Sequence, residues 1–399
     1  MTRKLRISRR GFVKGMAAAA AAPWFVPRTS FGANDRITTG IIGLGGPAGG
    51  GAGGTQLLAV CDVRDDKLQR HANNKSVTKY RDFRELLARD DIDAVLIGTP
   101  DHWHAIPAIE AAKAGKDIYC EKPMSLTIRE ARAMVNAVRR YGVIFQTGSQ
   151  QRSSGKFRSA CEMVRSGRIG EVRYVHVNVW GPSGPAEDVP PEPTPPGVDW
   201  DRWLGPAPWR PFSNRILRGW RSFRDYSGGG MTDWGAHHFD IVQWALDKDD
   251  SGPVEAIPPD GKDVKHLTYV YDNGVKVYHG GAQGAQIVFH GSEGRIGVDR
   301  GQLWTDPPGI MARPISPSEV RLYYSTSQKG NWLDCVRSRR RPICDVEVGC
   351  RSVTVCHIGN LAYWLKRPLK WDPAKEEFVG DVEANRWLDR PKRQPWRVS

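Results

Sequence analysis

A chain of 399 residues exceeds what one ordinary hydrophobic core serves, so two lobes are expected, with a boundary in the middle third. A hydrophobic share of 40% with 15 Trp supplies material for real cores, and past the N-terminal stretch no apolar run approaches the roughly 18 residues a membrane-spanning helix needs. The net charge of +14 falls to +7 once residues 1–33 are set aside, because they carry seven Lys or Arg and no acid. What remains is moderately basic. The cluster of Arg337, Arg339, Arg340 and Arg341 comes with no nucleic-acid motif and reads as a solvated face, so no nucleic-acid partner is expected. The seven cysteines include no C-x-x-C pair and read mainly as small core residues, with a Cys344–Cys350 bridge as the one alternative.

In chain order, the N-terminus comes first. Ser8-Arg9-Arg10-Gly11-Phe12-Val13-Lys14, six alanines from Ala17 to Ala22, and then Pro23 resemble a twin-arginine export signal. The resemblance implies residues 1–33 as a cleaved signal, a periplasmic destination reached in the folded state, and no stable membrane anchor after cleavage. The other reading is a disordered basic tail.

From Thr38 short apolar runs alternate with helical stretches, the pattern of a parallel sheet flanked by helices. Strands are expected at Ile41-Ile42, at Leu57 to Val60, at Ala94 to Ile97, at Asp117 to Cys120 and at Val143 to Phe145, with helices near 81–89, 104–115 and 126–141. This predicts a doubly wound, Rossmann-like nucleotide-binding domain over 36–150. After Gln150 a helix near 155–166 precedes an alternating strand from Val172 to Trp180 and a Pro-rich loop over 182–196. Alternating segments at 267–271, 275–279 and 285–290 predict a mostly antiparallel sheet. Helices are expected from Trp332 to Arg337 and from Val348 to Leu365, free to pack on either lobe. The fold class is therefore α/β followed by α+β, with a substrate and oligomerisation domain over 151–370 and a C-terminal extension over 371–399.

Gly43-Leu44-Gly45-Gly46-Pro47-Ala48 follows a strand and matches G-x-G-x-x-G/A, where glycines let backbone N–H groups approach a pyrophosphate. Asp62 ends the next strand, where a carboxylate accepts from a ribose 2′-hydroxyl, which favours NAD; Arg64 keeps NADP open. The stretch Gly46 to Gly54 holds no large apolar residue, and glycines cost up to about 1 kcal/mol each in a helix, so the first helix is expected to be truncated or absent.

Three later landmarks, Thr99-Pro100-Asp101-His102-Trp103-His104, Glu121-Lys122-Pro123, and Gly228 through Asp233 to His237-His238, occur in an order and spacing similar to the Gfo/Idh/MocA oxidoreductases, the glucose-fructose oxidoreductase and inositol dehydrogenase family. The resemblance spans roughly 36–399. It implies a nicotinamide-dependent oxidoreductase acting on CH–OH groups of a sugar, polyol or glycoside, with Lys122, Asp233 and His237 catalytic. It also implies that Gly43, Gly45, Ala48, Asp62, Thr99, Pro100, His104, Glu121 and Lys122 face the cofactor, and that the protein forms homo-oligomers.

The residue chemistry agrees. Lys122 follows a parallel strand at the edge where ligands bind, and its ammonium suits a hydroxyl gaining alkoxide character. Asp233 and His237 are spaced i, i+4, on one face of any helix there, so the imidazole can take a hydroxyl proton while the carboxylate orients it. Singly, such a Lys is a solvated strand end and such an Asp a helix N-cap; the combination carries the assignment. Arg152, Trp220, Tyr226 and His238 are expected substrate contacts, with core roles as the alternative. A metal site from His102, His104, Asp233 and His237 lacks a compact ligand motif, and none is expected. Two other activities keep the same residues: glycoside cleavage by transient oxidation and elimination, and non-catalytic sugar binding after decay of the cofactor site.

Overall fold

The computed structural model describes residues 36–314 and 316–398; the expected signal at 1–33 lies outside them. A six-stranded parallel sheet is built from β1 (Thr38–Ile42), β2 (Gln56–Cys61), β3 (Thr78–Tyr80), β4 (Ala94–Ile97), β5 (Asp117–Cys120) and β6 (Phe145–Thr147), in the order β3-β2-β1-β4-β5-β6. This is the doubly wound order, in which the chain changes direction between β1 and β4 and opens a crevice at their carboxyl ends. The near-continuous apolar strands are fully buried, as a sheet covered on both faces demands.

One face carries α1 (Phe83–Leu87), α2 (Ala105–Lys113) and α3 (Ile128–Tyr141). The start of α3 is set locally: the Thr127 hydroxyl accepts from Glu130 N–H, the Glu130 carboxylate reaches back to Leu126 N–H, and Gly142 ends the helix with φ +65°. On the other face the expected gap is real. Between β1 and β2 there is only a 3-10 turn, Pro47–Gly50. Its place is taken from far away in sequence. Trp332, Leu333, Cys335 and Val336 of the helix Gln328–Ser338 (labelled α6 below) pack with Leu44, Ala48, Ala52, Ile41 and Val60 in one core.

The second lobe begins with α4 (Gly155–Arg165) and β7 (Val172–Val177), and passes through α5 (Gly235–Ala245) into an open nine-stranded sheet ordered β13-β12-β11-β7-β10-β9-β8-β14-β15. Its strands are β8 (Glu255–Ile257), β9 (Thr268–Val270), β10 (Lys276–His279), β11 (Ile287–Gly291), β12 (Arg295–Val298), β13 (Leu303–Asp306), β14 (Leu369–Asp372) and β15 (Glu377–Phe378). All neighbours run antiparallel except β7 with β10. The short strands β3, β8 and β12–β15 are absent from the sequence reading, being too brief to show a period.

After α6 comes α7 (Val346–Leu365), which serves both lobes: Val346, Cys350 and Val353 enter the core of the first, and Val355, Ile358 and Leu361 that of the second. All seven cysteines are buried free thiols, so the Cys344–Cys350 bridge does not form. A smaller core around Trp200, Trp203, Phe212, Ile216 and Tyr226 stabilises the segment after the Pro-rich loop. Backbone bonds from Asp65 N to Gly197 O (2.8 Å) and from Asp199 N to Val63 O (3.0 Å) clip this segment to the tip of β2.

Candidate active site

The carboxyl ends of the parallel strands open into a cleft of about 810 Å³, walled on its far side by residues of the second lobe. At the phosphate end, Gly43 holds φ +83°, and a Cβ there would lie 2.5 Å from the Thr99 amide nitrogen, so only glycine keeps the strand end open. Asp62 accepts from Leu44 N–H (2.8 Å) and Arg64 N–H (3.0 Å), which pins its carboxylate across the glycine turn; burial pushes its pKa up. Gly43, Gly45, Asp62, Thr99, Pro100, His104, Glu121 and Lys122 all line the cleft. Ala48 does not. It is fully buried and packs its methyl against Gly98, acting on the cradle through packing.

The 3-10 turn has a support that no local motif announces. Lys329, from the start of α6, donates from Nζ to Pro47 O (3.1 Å) and also to Gly51 O, holding both ends of the turn. His104 lies between the Thr99 carbonyl (2.8 Å) and the Pro123 carbonyl (2.7 Å); held neutral by burial, it has one N–H to donate to one of the two, between the loops after β4 and β5. The Thr99 hydroxyl and both Glu121 carboxylate oxygens are buried at this wall with no hydrogen-bond partner among the described residues, and burial raises the Glu121 pKa.

At the other end the lobes meet through charge. Lys122 Nζ donates to Asp233 Oδ1 at 2.6 Å and to Asp233 O at 2.8 Å. Two of three ammonium protons are thereby placed, leaving one for a ligand. Arg221 Nε adds a 3.3 Å contact to the same carboxylate oxygen. The glycine run before Asp233 is sterically required: Gly229 has φ +77°, and a Cβ there would strike the Ser183 amide. Asp233 ends one helical turn, Gly230–Asp233, and His237 sits in the first turn of α5 beyond a break at Trp234, so the expected single-helix i, i+4 relation is replaced by two segments that still both line the cleft.

His237 is 3% exposed and its Nδ1 has no partner among the described residues. Burial first, then the neighbouring Lys122 and Arg300 cations, hold its pKa well below the ordinary imidazole value, so it is a neutral base. Asp101, also in the wall, is pushed up to about 7 by burial and accepts from the Ser227 hydroxyl at 2.6 Å, a second tie between lobes.

Several sequence expectations need correcting. Arg152 is 1% exposed and held by the buried Asp240 (2.9 Å) and the half-buried Asp249 (2.6 Å), outside the cleft; its guanidinium is spent on these two carboxylates and is not free for substrate. Tyr226 is fully buried between His102 and Trp203 and braces the wall without reaching the cleft. His102 likewise bonds the Trp203 carbonyl (3.0 Å) behind the surface. His238 turns away from His237, as helix geometry requires, and lines a neighbouring hollow instead. Trp220 does line the cleft, with Arg221 stacked on it. Among the described residues no group of three or more His, Cys, Asp or Glu is placed to hold a metal.

Arg221 and Trp234, which stand in and beside the Asp233 landmark, line the cleft, whereas Lys329, Arg300 and Trp396 go unsignalled in the sequence, the last packed edge-on against Trp103 at the cleft wall. Asp101 belongs to the Thr99–His104 landmark.

Comparison with known proteins adds the ancestry. Residues 37–149 match "Oxidoreductase family, NAD-binding Rossmann fold" and residues 177–398 match "Oxidoreductase family, C-terminal alpha/beta domain" of Gfo/Idh/MocA. The chain is 33% identical over 133 residues to myo-inositol 2-dehydrogenase of Thermotoga maritima, covering 33% of this chain and 40% of that protein. It is 31% identical over 208 residues to 1,5-anhydro-D-fructose reductase of Ensifer adhaerens, covering 52% and 53%. The matches thus span about half or less of these relatives' length. In fold it resembles the WlbA dehydrogenase of Bordetella pertussis, solved in complex with NADH and UDP-GlcNAcA, with a TM-score of 0.58 at 19% identity over 85% of this chain and 99% of that one. The chain belongs to the Gfo/Idh/MocA oxidoreductase family, its first lobe being that family's NAD-binding Rossmann fold.

Proposed function

We propose that the protein oxidises a secondary hydroxyl of a sugar, polyol or glycoside, using NAD. The observation that carries this reading is the Lys122–Asp233 pair spanning the two lobes beside an unpartnered, neutral His237. The cleft fits a dinucleotide: the glycine cradle at Gly43 leaves space for a pyrophosphate, the pinned Asp62 carboxylate is an acceptor for ribose hydroxyls, and the buried Thr99 hydroxyl has no partner among the described residues. NAD, when bound, supplies the hydride acceptor.

The chain's own residues do the rest. Asp233 fixes the Lys122 ammonium, whose remaining N–H donates a hydrogen bond to the substrate hydroxyl oxygen and so favours its alkoxide character without giving up its proton. His237 takes the hydroxyl proton, and its depressed pKa keeps it in the accepting form. Trp220 and Trp234 offer apolar faces to the C–H side of a ring. Both relatives named above act, by their names, on cyclic polyols or sugars, which supports the substrate class. Asp62 favours NAD over NADP, since a carboxylate there repels a 2′-phosphate.

The shortened first turn favours one second reading, a sugar-binding relative without turnover. Acid release of small molecules from purified protein, followed by mass measurement and titration with NAD and NADP, separates the two. Protein that neither carries nor binds either nucleotide, or that retains full activity as both Lys122→Ala and His237→Ala, overturns the proposal. Periplasmic delivery of a folded homo-oligomer by residues 1–33 is part of the proposal, and cell fractionation of the wild type against an Arg9→Lys/Arg10→Lys form tests it.

A further inference from the structure

Beside the cleft lies a second hollow of about 510 Å³, within the size range of small-molecule sites. It is bounded by the chain after β7 (Asn178 to Trp180), by Gln286 beside β11, and by Asp299 to Gly301 after β12. Trp234 and Arg300 line both cavities, so the hollow adjoins the cleft at the residue next to Asp233.

Two features of this hollow are unexplained by folding. Trp180 leaves its indole 65% exposed and meets Trp234 edge-on, with ring centroids 5.6 Å apart. A large exposed aromatic beside a concavity is a ring platform more readily than a core element. Arg300 lies over Trp234 at 4.7 Å, yet its guanidinium makes no ion pair or hydrogen bond among the described residues. The adjacent Asp299 turns its oxygens elsewhere, Oδ1 accepting from Gly301 and Gln302 N–H and Oδ2 from the Gln302 amide, and makes no ion pair with the guanidinium. The guanidinium therefore stands at the junction stacked on Trp234, with its N–H donors unused among the described residues. A lone guanidinium matches a carboxylate in charge and in planar, two-donor geometry.

We propose that this hollow is a second ring subsite, holding the far ring of a disaccharide or glycoside whose near ring lies at Lys122 and His237, and that Arg300 receives a carboxylate on the far ring. The substrate class is thus a uronic-acid-containing glycoside. This inference rests on the oxidoreductase reading for the near ring only.

Calorimetry on the NAD-loaded protein tests it with aldobiouronic acids, their carboxyl-reduced neutral disaccharides, the component monosaccharides and a sulfated disaccharide. The acid is expected to bind about tenfold tighter than its neutral counterpart, and R300L to bring that ratio close to one. W180A is expected to lower the disaccharide-to-monosaccharide affinity ratio by roughly fivefold or more. Both side chains are exposed, so the fold is expected to survive. No binding of any disaccharide, equal binding of one ring and two, or an acid preference that persists in R300L overturns the subsite; equal binding of the sulfated sugar overturns the choice of carboxylate. Tight two-ring binding with no NAD reduction counts against the oxidoreductase reading and leaves the subsite standing, whereas oxidation of monosaccharides with no gain from a second ring does the reverse.

Discussion

The two ends of the cleft are built by different means. At the catalytic end, charged groups from separate lobes meet directly: Lys122 on Asp233, with His237 and Arg300 close by. At the phosphate end, a single 3-10 turn rich in glycine stands where a helix would supply a dipole, and it is held from outside by Lys329 and the apolar face of α6. The first end depends on lobe closure. The second depends on a distant helix filling a local deficit.

The sharpest way to break this contrast is at the catalytic end. Lys122→Ala and His237→Ala are each expected to lower turnover by about 10²–10⁴-fold, as loss of a positioned proton-transfer group does, while the nucleotide stays bound; stopped-turnover assays with nucleotide quantitation check both. Nucleotide lost together with turnover would mean the two ends are not separable. Next comes Gly43→Ala. Its methyl must displace the Thr99 backbone at a positive φ, so a stability loss of about 1–3 kcal/mol is expected, read as a lower melting temperature.

Lys329→Met probes the borrowed support at the other end. Two charge-assisted bonds to the turn are lost, and the nucleotide Kd is expected to rise about tenfold with a smaller change in turnover at saturating nucleotide. An unchanged Kd would show that the apolar packing of α6 alone suffices. The smallest effect concerns pH. Because the His237 pKa is lowered, the ring gives up its proton at lower pH than a free imidazole and stays a base as pH falls through the usual value of about 6.5. The acidic limb of kcat/KM is therefore expected well below that pH. A limb at the ordinary value would mean that neither burial nor the neighbouring cations lower the ring's pKa.

Much of this architecture is legible in the sequence where its cause is local. The apolar runs at Ala94 to Ile97 and Asp117 to Cys120 are strands because both faces are covered, and the landmark loops follow directly on those strands. The truncated first helix is likewise written in its glycines. What was misread depends on partners far along the chain. Nothing near Arg152 announces Asp240 or Asp249, and nothing near Lys329 announces Pro47, 282 residues away. Tyr226 stands beside the right motif, but its direction is decided by packing against Trp203 and His102, which spacing alone does not give.

The borrowed helix has a consequence for how the chain acquires its shape. The nucleotide lobe ends its own strands at Thr147, yet one face of its sheet stays bare until Trp332 to Val336 arrive. A ribosome releasing this chain would therefore emit a half-clad sheet and roughly 180 further residues before closing it, so the first lobe is expected to mature late, and only together with the second.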